Sequence, residues 1–92
     1  MTGLAAASGW LKAQDEAGVL VRICATITGR GYEVRSLTAE ASPAGTLTVS
    51  FSVLAEEDWL VRLPYFLQRI VPVHEVVLDE APWLDTTKEA LG

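Results

Sequence analysis

Between Thr46 and Val53 the chain alternates without interruption. Leu47, Val49, Phe51 and Val53 are apolar, and Thr46, Thr48, Ser50 and Ser52 carry hydroxyls. Successive side chains of a strand point to opposite faces, so this run has one apolar and one polar face. Such a strand belongs in a sheet covered on one side and open on the other, as antiparallel sheets commonly are. The remaining segments must therefore provide helices for a single face.

The flanking segments read in that way. Gly9, Leu11 and Ala13 alternate with Trp10, Lys12 and Gln14, which predicts a first strand. Asp15-Glu16-Ala17-Gly18 is a loop entering a helix, with Asp15 as the expected N-cap and two acids where the helix dipole favours negative charge. Leu20, Ile23, Cys24 and Ile27 fall at i, i+3, i+4, i+7 and form one apolar stripe, which Gly29-Arg30-Gly31 ends. Tyr32 to Ala41 reads as a second strand whose apolar parity switches near Ser36, predicting a bulge. Ser42 to Gly45 is a turn into the third strand.

Glu56-Glu57-Asp58 opens a second helix with buried stripe Trp59, Leu60, Leu63, Phe66, Leu67 and Ile70. Pro64 lies inside that stripe and predicts a kink or a late start. Val73 to Leu78 is the last strand. The order βαββαβ predicts an α+β chain of ferredoxin-like plan, with two helices on one face of a four-stranded antiparallel sheet. Right-handed crossovers give the strand order 4-1-3-2. Strands two and four are then edges, and an exposed edge invites pairing with another copy.

Composition narrows the function. A chain of 92 residues, 50% of them hydrophobic, is one domain with a small core. Seven Lys and Arg stand against twelve Asp and Glu, a net charge of -5, which argues against nucleic-acid phosphate tracking and polybasic membrane binding. No apolar run reaches the roughly 18 residues of a membrane helix. One cysteine and one histidine exclude an internal disulfide framework and a zinc cluster, so the reducing cytoplasm is the expected location. The domain is expected over residues 8–79, with a frayed start at 1–7 and a tail at 80–92 in which Trp83 and Leu84 are candidate anchors.

Candidate catalytic groups are few. His74 lacks a nucleophile and an orienting partner, and Cys24 lies in an apolar stripe, so both read as structural. The acids at 56–58 and 79–80 lack calcium-loop spacing. No enzyme activity, metal or cofactor is expected. Trp10, on the outer parity of strand one, is either an interface anchor or a cover for the sheet beside Lys12. The Asp15–Arg22 segment offers a different site. The first N–H groups of a helix have no intrahelical partner and bind carboxylates, Gly18 admits a ligand close to the backbone, and Asp15 suits an ammonium. A small α-amino acid has the matching charges, although most loop-glycine-helix junctions bind nothing.

Two blocks carry a resemblance. Asp15-Glu16-Ala17-Gly18-Val19-Leu20-Val21-Arg22-Ile23 and Gly31-Tyr32-Glu33-Val34-Arg35-Ser36-Leu37-Thr38 resemble the ACT domain of the acetolactate synthase (acetohydroxyacid synthase) small regulatory subunit. That family shows Asn-x-x-Gly-x-Leu-x-Arg-Val/Ile, then Arg-Gly-Tyr/Phe-Asn-Ile-x-Ser-Leu-Thr, with matching spacing. Leu67 to Val73 is similar to the family's ending of helix two.

The resemblance implies a non-catalytic module that pairs through its second-strand edges as a homodimer and activates the catalytic large subunit. It also implies an effector (Val, Leu or Ile) held between Asp15, Gly18 and Val19 of one copy and Glu33 and Val34 of the other. Asp15 and Glu33 place anions where the family has asparagine. The length resembles the short form of the subunit. A free-standing ACT-type amino-acid sensor is the alternative. An acylphosphatase-like hydrolase on this plan needs a loop arginine and an asparagine, but the loop is acidic and the chain has no asparagine.

Overall fold

The computed structural model describes residues 4–80. Its elements are β1 (Leu4–Gln14), α1 (Val19–Gly29), β2 (Glu33–Ala41), β3 (Thr46–Glu56), α2 (Glu57–Leu60), α3 (Leu63–Gln68) and β4 (Val73–Glu80). All neighbouring strands are antiparallel, in the order β2-β3-β1-β4. This is the expected 4-1-3-2 order seen from the other edge. The fold is the ferredoxin-like α+β plan with its helices on one face.

The centre is the β1–β3 pair, registered without a break from Leu4↔Glu56 to Gln14↔Thr46. Its inward row is Ala7, Leu11 and Ala13 on β1 and Leu47, Val49, Phe51, Val53 and Ala55 on β3, all buried. Ile23 and Ile27 of α1, Leu60 of α2 and Leu63 and Leu67 of α3 close over that row and are fully buried. The opposite face keeps Ser50, Ser52 and Thr48, with the half-buried Trp10, whose ring centroid lies 5.4 Å from the Lys12 ammonium.

Several boundaries differ from the sequence reading. The first strand begins at Leu4, not Gly9, so residues 4–7 are not a frayed start: the Ala5–Ala7 run pairs with Val53–Ala55 and Ala7 is 1% exposed. Alanine hides the alternation that pairing enforces. The α1 stripe is centred on Val19, Ile23 and Ile27, which leaves Leu20 and Cys24 half-buried. The helix predicted after Glu56 is broken into α2 and α3. Pro64 sits in the first turn of α3, where its missing N–H costs no helical bond. The β2 register shifts between Val34 and Ser36, where the parity change predicts a bulge. Trp83 and Leu84 lie outside the described residues.

Gly9 is fixed by its neighbour. It faces a register shift in the β1–β4 pairing, and a Cβ there would collide with the Val77 carbonyl and stand 2.8 Å from the Leu78 Cα. Both are backbone atoms and cannot rotate aside. Gly9→Val should therefore destabilise the fold by about 1–3 kcal/mol, read as a lower midpoint of urea denaturation. An unchanged midpoint would mean that β4 is not held against β1 at this point.

Candidate functional site

The two groups of residues singled out in the sequence lie at opposite ends of the sheet. The loop between β1 and α1 is stitched to its surroundings by backbone bonds. The Gln14 N–H donates to the Pro72 carbonyl at 3.2 Å and the Asp15 N–H to the Gly45 carbonyl at 2.9 Å. The Arg22 guanidinium reaches the Val71 carbonyl at 2.9 Å and the Glu16 carboxylate at 3.5 Å. The β1–α1 loop, the β2–β3 turn and the α3–β4 loop thus meet in one place.

Asp15 does not cap α1. Gly18 holds the N-cap position at φ 81, a left-handed conformation that suits glycine, and no side chain bonds the helix start. The exposed Asp15 carboxylate is left for solvent or a ligand. The Val19 N–H already donates to the Glu16 carbonyl at 3.2 Å. Its side chain, 2% exposed, belongs to the core. Leu20 and Val21 supply the next first-turn N–H groups, which have no intrahelical acceptor.

Glu33 and Val34 begin β2. Glu33 pairs in register with Leu54, whereas Gln14 pairs with Thr46, eight residues along β3. At about 3.3 Å per residue, roughly 26 Å of sheet separates them from the Asp15 loop. One copy cannot bring these residues together. Glu33 is exposed and bonded to Arg35 at 2.9 Å, and Val34 is half-buried against the core.

β2 itself is lightly covered. Seven of its nine residues are exposed, including Ala39 and Ala41 on the helix-side row, so among the described residues nothing pairs with its outer hydrogen-bonding edge or covers part of its apolar face. The remaining titratable candidates are isolated. His74 and Glu75 are exposed on β4, and no group of His, Cys, Asp and Glu among the described residues can hold a metal. No described helix is long and apolar enough to cross a membrane.

The sequence reading missed a cluster at the Glu33 end of the sheet. The Tyr32 hydroxyl donates to the Trp59 carbonyl and the Trp59 indole N–H to the Arg30 carbonyl, each at 2.6 Å. Tyr32 and Trp59 stack at 6.0 Å between centroids, and Phe66 packs tilted against Trp59 at 5.5 Å. Arg30 lies over Phe66 and Arg62 over Trp59, at 4.3 and 5.2 Å. The available signal was Arg62, one helical turn beyond Trp59. Reading Trp59 only as core concealed it; the side chain is half-buried.

No protein-family model matches the chain, and no curated protein sequence does. Solved structures do match it. The ACT domain of GTP pyrophosphokinase from Chlorobium tepidum superposes with a TM-score of 0.73 at 19% identity, over 83% of this chain and 99% of that one. The acetolactate synthase small subunit from Thermotoga maritima gives 0.74 at 17%, over 86% of this chain and 50% of that one. The regulatory subunit of aspartate kinase from Thermus thermophilus gives 0.64 at 20%, over 86% and 56%. The chain has the ACT fold.

Burial pushes the Tyr32 hydroxyl up from 10.0 to about 12, against the smaller opposing pull of Arg62 and Arg30. In the unfolded chain tyrosine ionises near roughly 10, so between pH 10 and 12 the unfolded state releases this proton first. Below pH 10 the ionisation of Tyr32 therefore leaves stability unchanged, and stability falls as pH rises from 10 through about 12. Tyr32→Phe should lose about 1 kcal/mol at neutral pH with the hydrogen bond, and should flatten that alkaline decline. Denaturation midpoints across the range read both effects; an unaltered decline would exclude Tyr32 as its source.

Proposed function

We propose that this chain is a non-catalytic regulatory module, a small subunit of acetolactate synthase in branched-chain amino acid synthesis, acting in the cytoplasm. The open β2 edge, with seven of nine residues exposed, carries the proposal. Two copies pairing antiparallel along β2 extend the sheet to eight strands. Each β2 start then approaches the partner's β2–β3 turn. That turn is bonded through Gly45 to Asp15, so the pairing brings the partner's Glu33 and Val34 toward the Asp15–Val19 loop. Residues roughly 26 Å apart in one copy become neighbours across the seam.

At that seam Asp15 offers an anion to an effector's ammonium, and the partner's Glu33, ion-paired with Arg35 of its own copy, closes the site beside it. The Leu20 and Val21 N–H groups and the open backbone at Gly18 offer donors to its carboxylate. Val19, its N–H already bonded to Glu16 and its side chain buried, only fixes the start of the helix beside the seam. Val, Leu or Ile is the proposed effector. Its regulatory force is limited to the difference in its affinity for the free and docked forms of the module. The two-block resemblance at 15–23 and 31–38 and the likeness to the Thermotoga maritima small subunit favour acetolactate synthase as the regulated enzyme. The equally close likeness to the ACT domain of a GTP pyrophosphokinase favours a second reading, a free-standing amino-acid sensor for another enzyme.

Mixing the full chain with the thiamine-diphosphate-dependent catalytic subunit should give a complex that copurifies and forms acetolactate faster than the catalytic subunit alone. Failure of both leaves the second reading. Gly18→Asp adds a side chain and a negative charge at the seam, and Asp tolerates the left-handed backbone better than most residues. It should weaken effector binding by about tenfold or more, roughly 1.4 kcal/mol, with subunit association retained. Calorimetry with valine, leucine and isoleucine measures this. An unaltered affinity places the ligand elsewhere.

A further inference from the structure

Where β3 leaves the sheet and α2 begins, the surface opens into a cavity of about 480 Å³. Small-molecule pockets typically span roughly 300–1,000 Å³. Leu54 and the Trp59 ring give it apolar walls, and Glu33, Glu56, Asp58 and Arg62 line it with charge. Glu33 is ion-paired with Arg35 at 2.9 Å. Glu56, Asp58 and Arg62 have no ion-pair partner among the described residues. The open charges are thus two carboxylates and one guanidinium beside an apolar wall.

The complementary ligand carries two cations, one anion and an apolar stem. We propose that this cavity binds a free basic α-amino acid of the lysine or arginine type. Arg62 takes the α-carboxylate, for which its planar fork of donors is suited. Asp58 and Glu56 take the α-ammonium and the side-chain cation. The ligand's methylenes lie along Trp59 and Leu54, as long basic side chains do on apolar surfaces. The Trp59 ring is already oriented by its bond to the Arg30 carbonyl at 2.6 Å and by Arg62 at 5.2 Å, so less ordering is left for the binding step. The cavity is complete within one copy and does not depend on β2 pairing.

The test is a titration of the isotope-labelled full chain with L-lysine, followed by NMR. Saturable shifts are expected at the Trp59 indole N–H and the amides of residues 56–62. L-valine lacks the second cation and cadaverine lacks the carboxylate, so each should bind about tenfold more weakly. Asp58→Asn and Arg62→Gln should each weaken lysine binding by about tenfold while the spectrum stays dispersed, which shows the fold intact. No saturable shift with millimolar lysine, an Arg62→Gln affinity equal to the parent's, or shifts confined to residues 15–19 and 41–45 would overturn the proposal. Because this readout needs no catalytic subunit and no dimer, its failure is separable from failure of the regulatory reading.

Discussion

The β1–β3 pairing organises the molecule. Eleven registered pairs hold two strands whose inward rows are apolar and whose outward rows are mostly hydroxyl-bearing or long polar residues. A one-residue slip would turn both rows over and put Leu47, Val49, Phe51 and Val53 in water. With the register fixed, α1, α2 and α3 have one surface to cover, and the crossovers place β2 and β4 outside the central pair. The helices lie over β1 and β3 and, among the described residues, leave the far rim of β2 uncovered.

That incomplete cover links the fold to the proposed function. A small domain gains little from its own core, and a strand edge with unpaired N–H and C=O groups is an available surface for a second copy. In the proposed dimer that edge brings together two clusters that one chain holds at opposite ends of the sheet. A site divided in this way exists only when the copies are paired, so ligand and assembly become thermodynamically linked. The isolated histidine and half-buried cysteine offer no assembled acid–base or nucleophilic chemistry among the described residues.

Much of this was legible where side-chain pattern and backbone requirement coincide. The alternation at 46–53 gave β3, the parity switch near Ser36 gave the β2 bulge, and Pro64 gave the break in the second helix. The reading failed where alanine carries no pattern, as at Ala5–Ala7, whose strand character comes from pairing with β3. It failed at Asp15 because a good N-capping side chain is not used when Gly18 can turn the backbone left-handed three residues later. The Trp59 cluster was hidden because its partners Arg30 and Tyr32 are distant in sequence, and no periodicity reports a contact between a helix end and the start of another helix.

Amide hydrogen exchange along Glu33–Ala41 of the full chain, followed at low and high protein concentration, tests the paired edge most directly. If two copies join there, the β2 amides that point away from β3 gain protection as concentration rises, approaching that of β3 itself. If those amides exchange at unprotected rates at every concentration while β3 stays protected, the edge is free in solution and the divided site does not form.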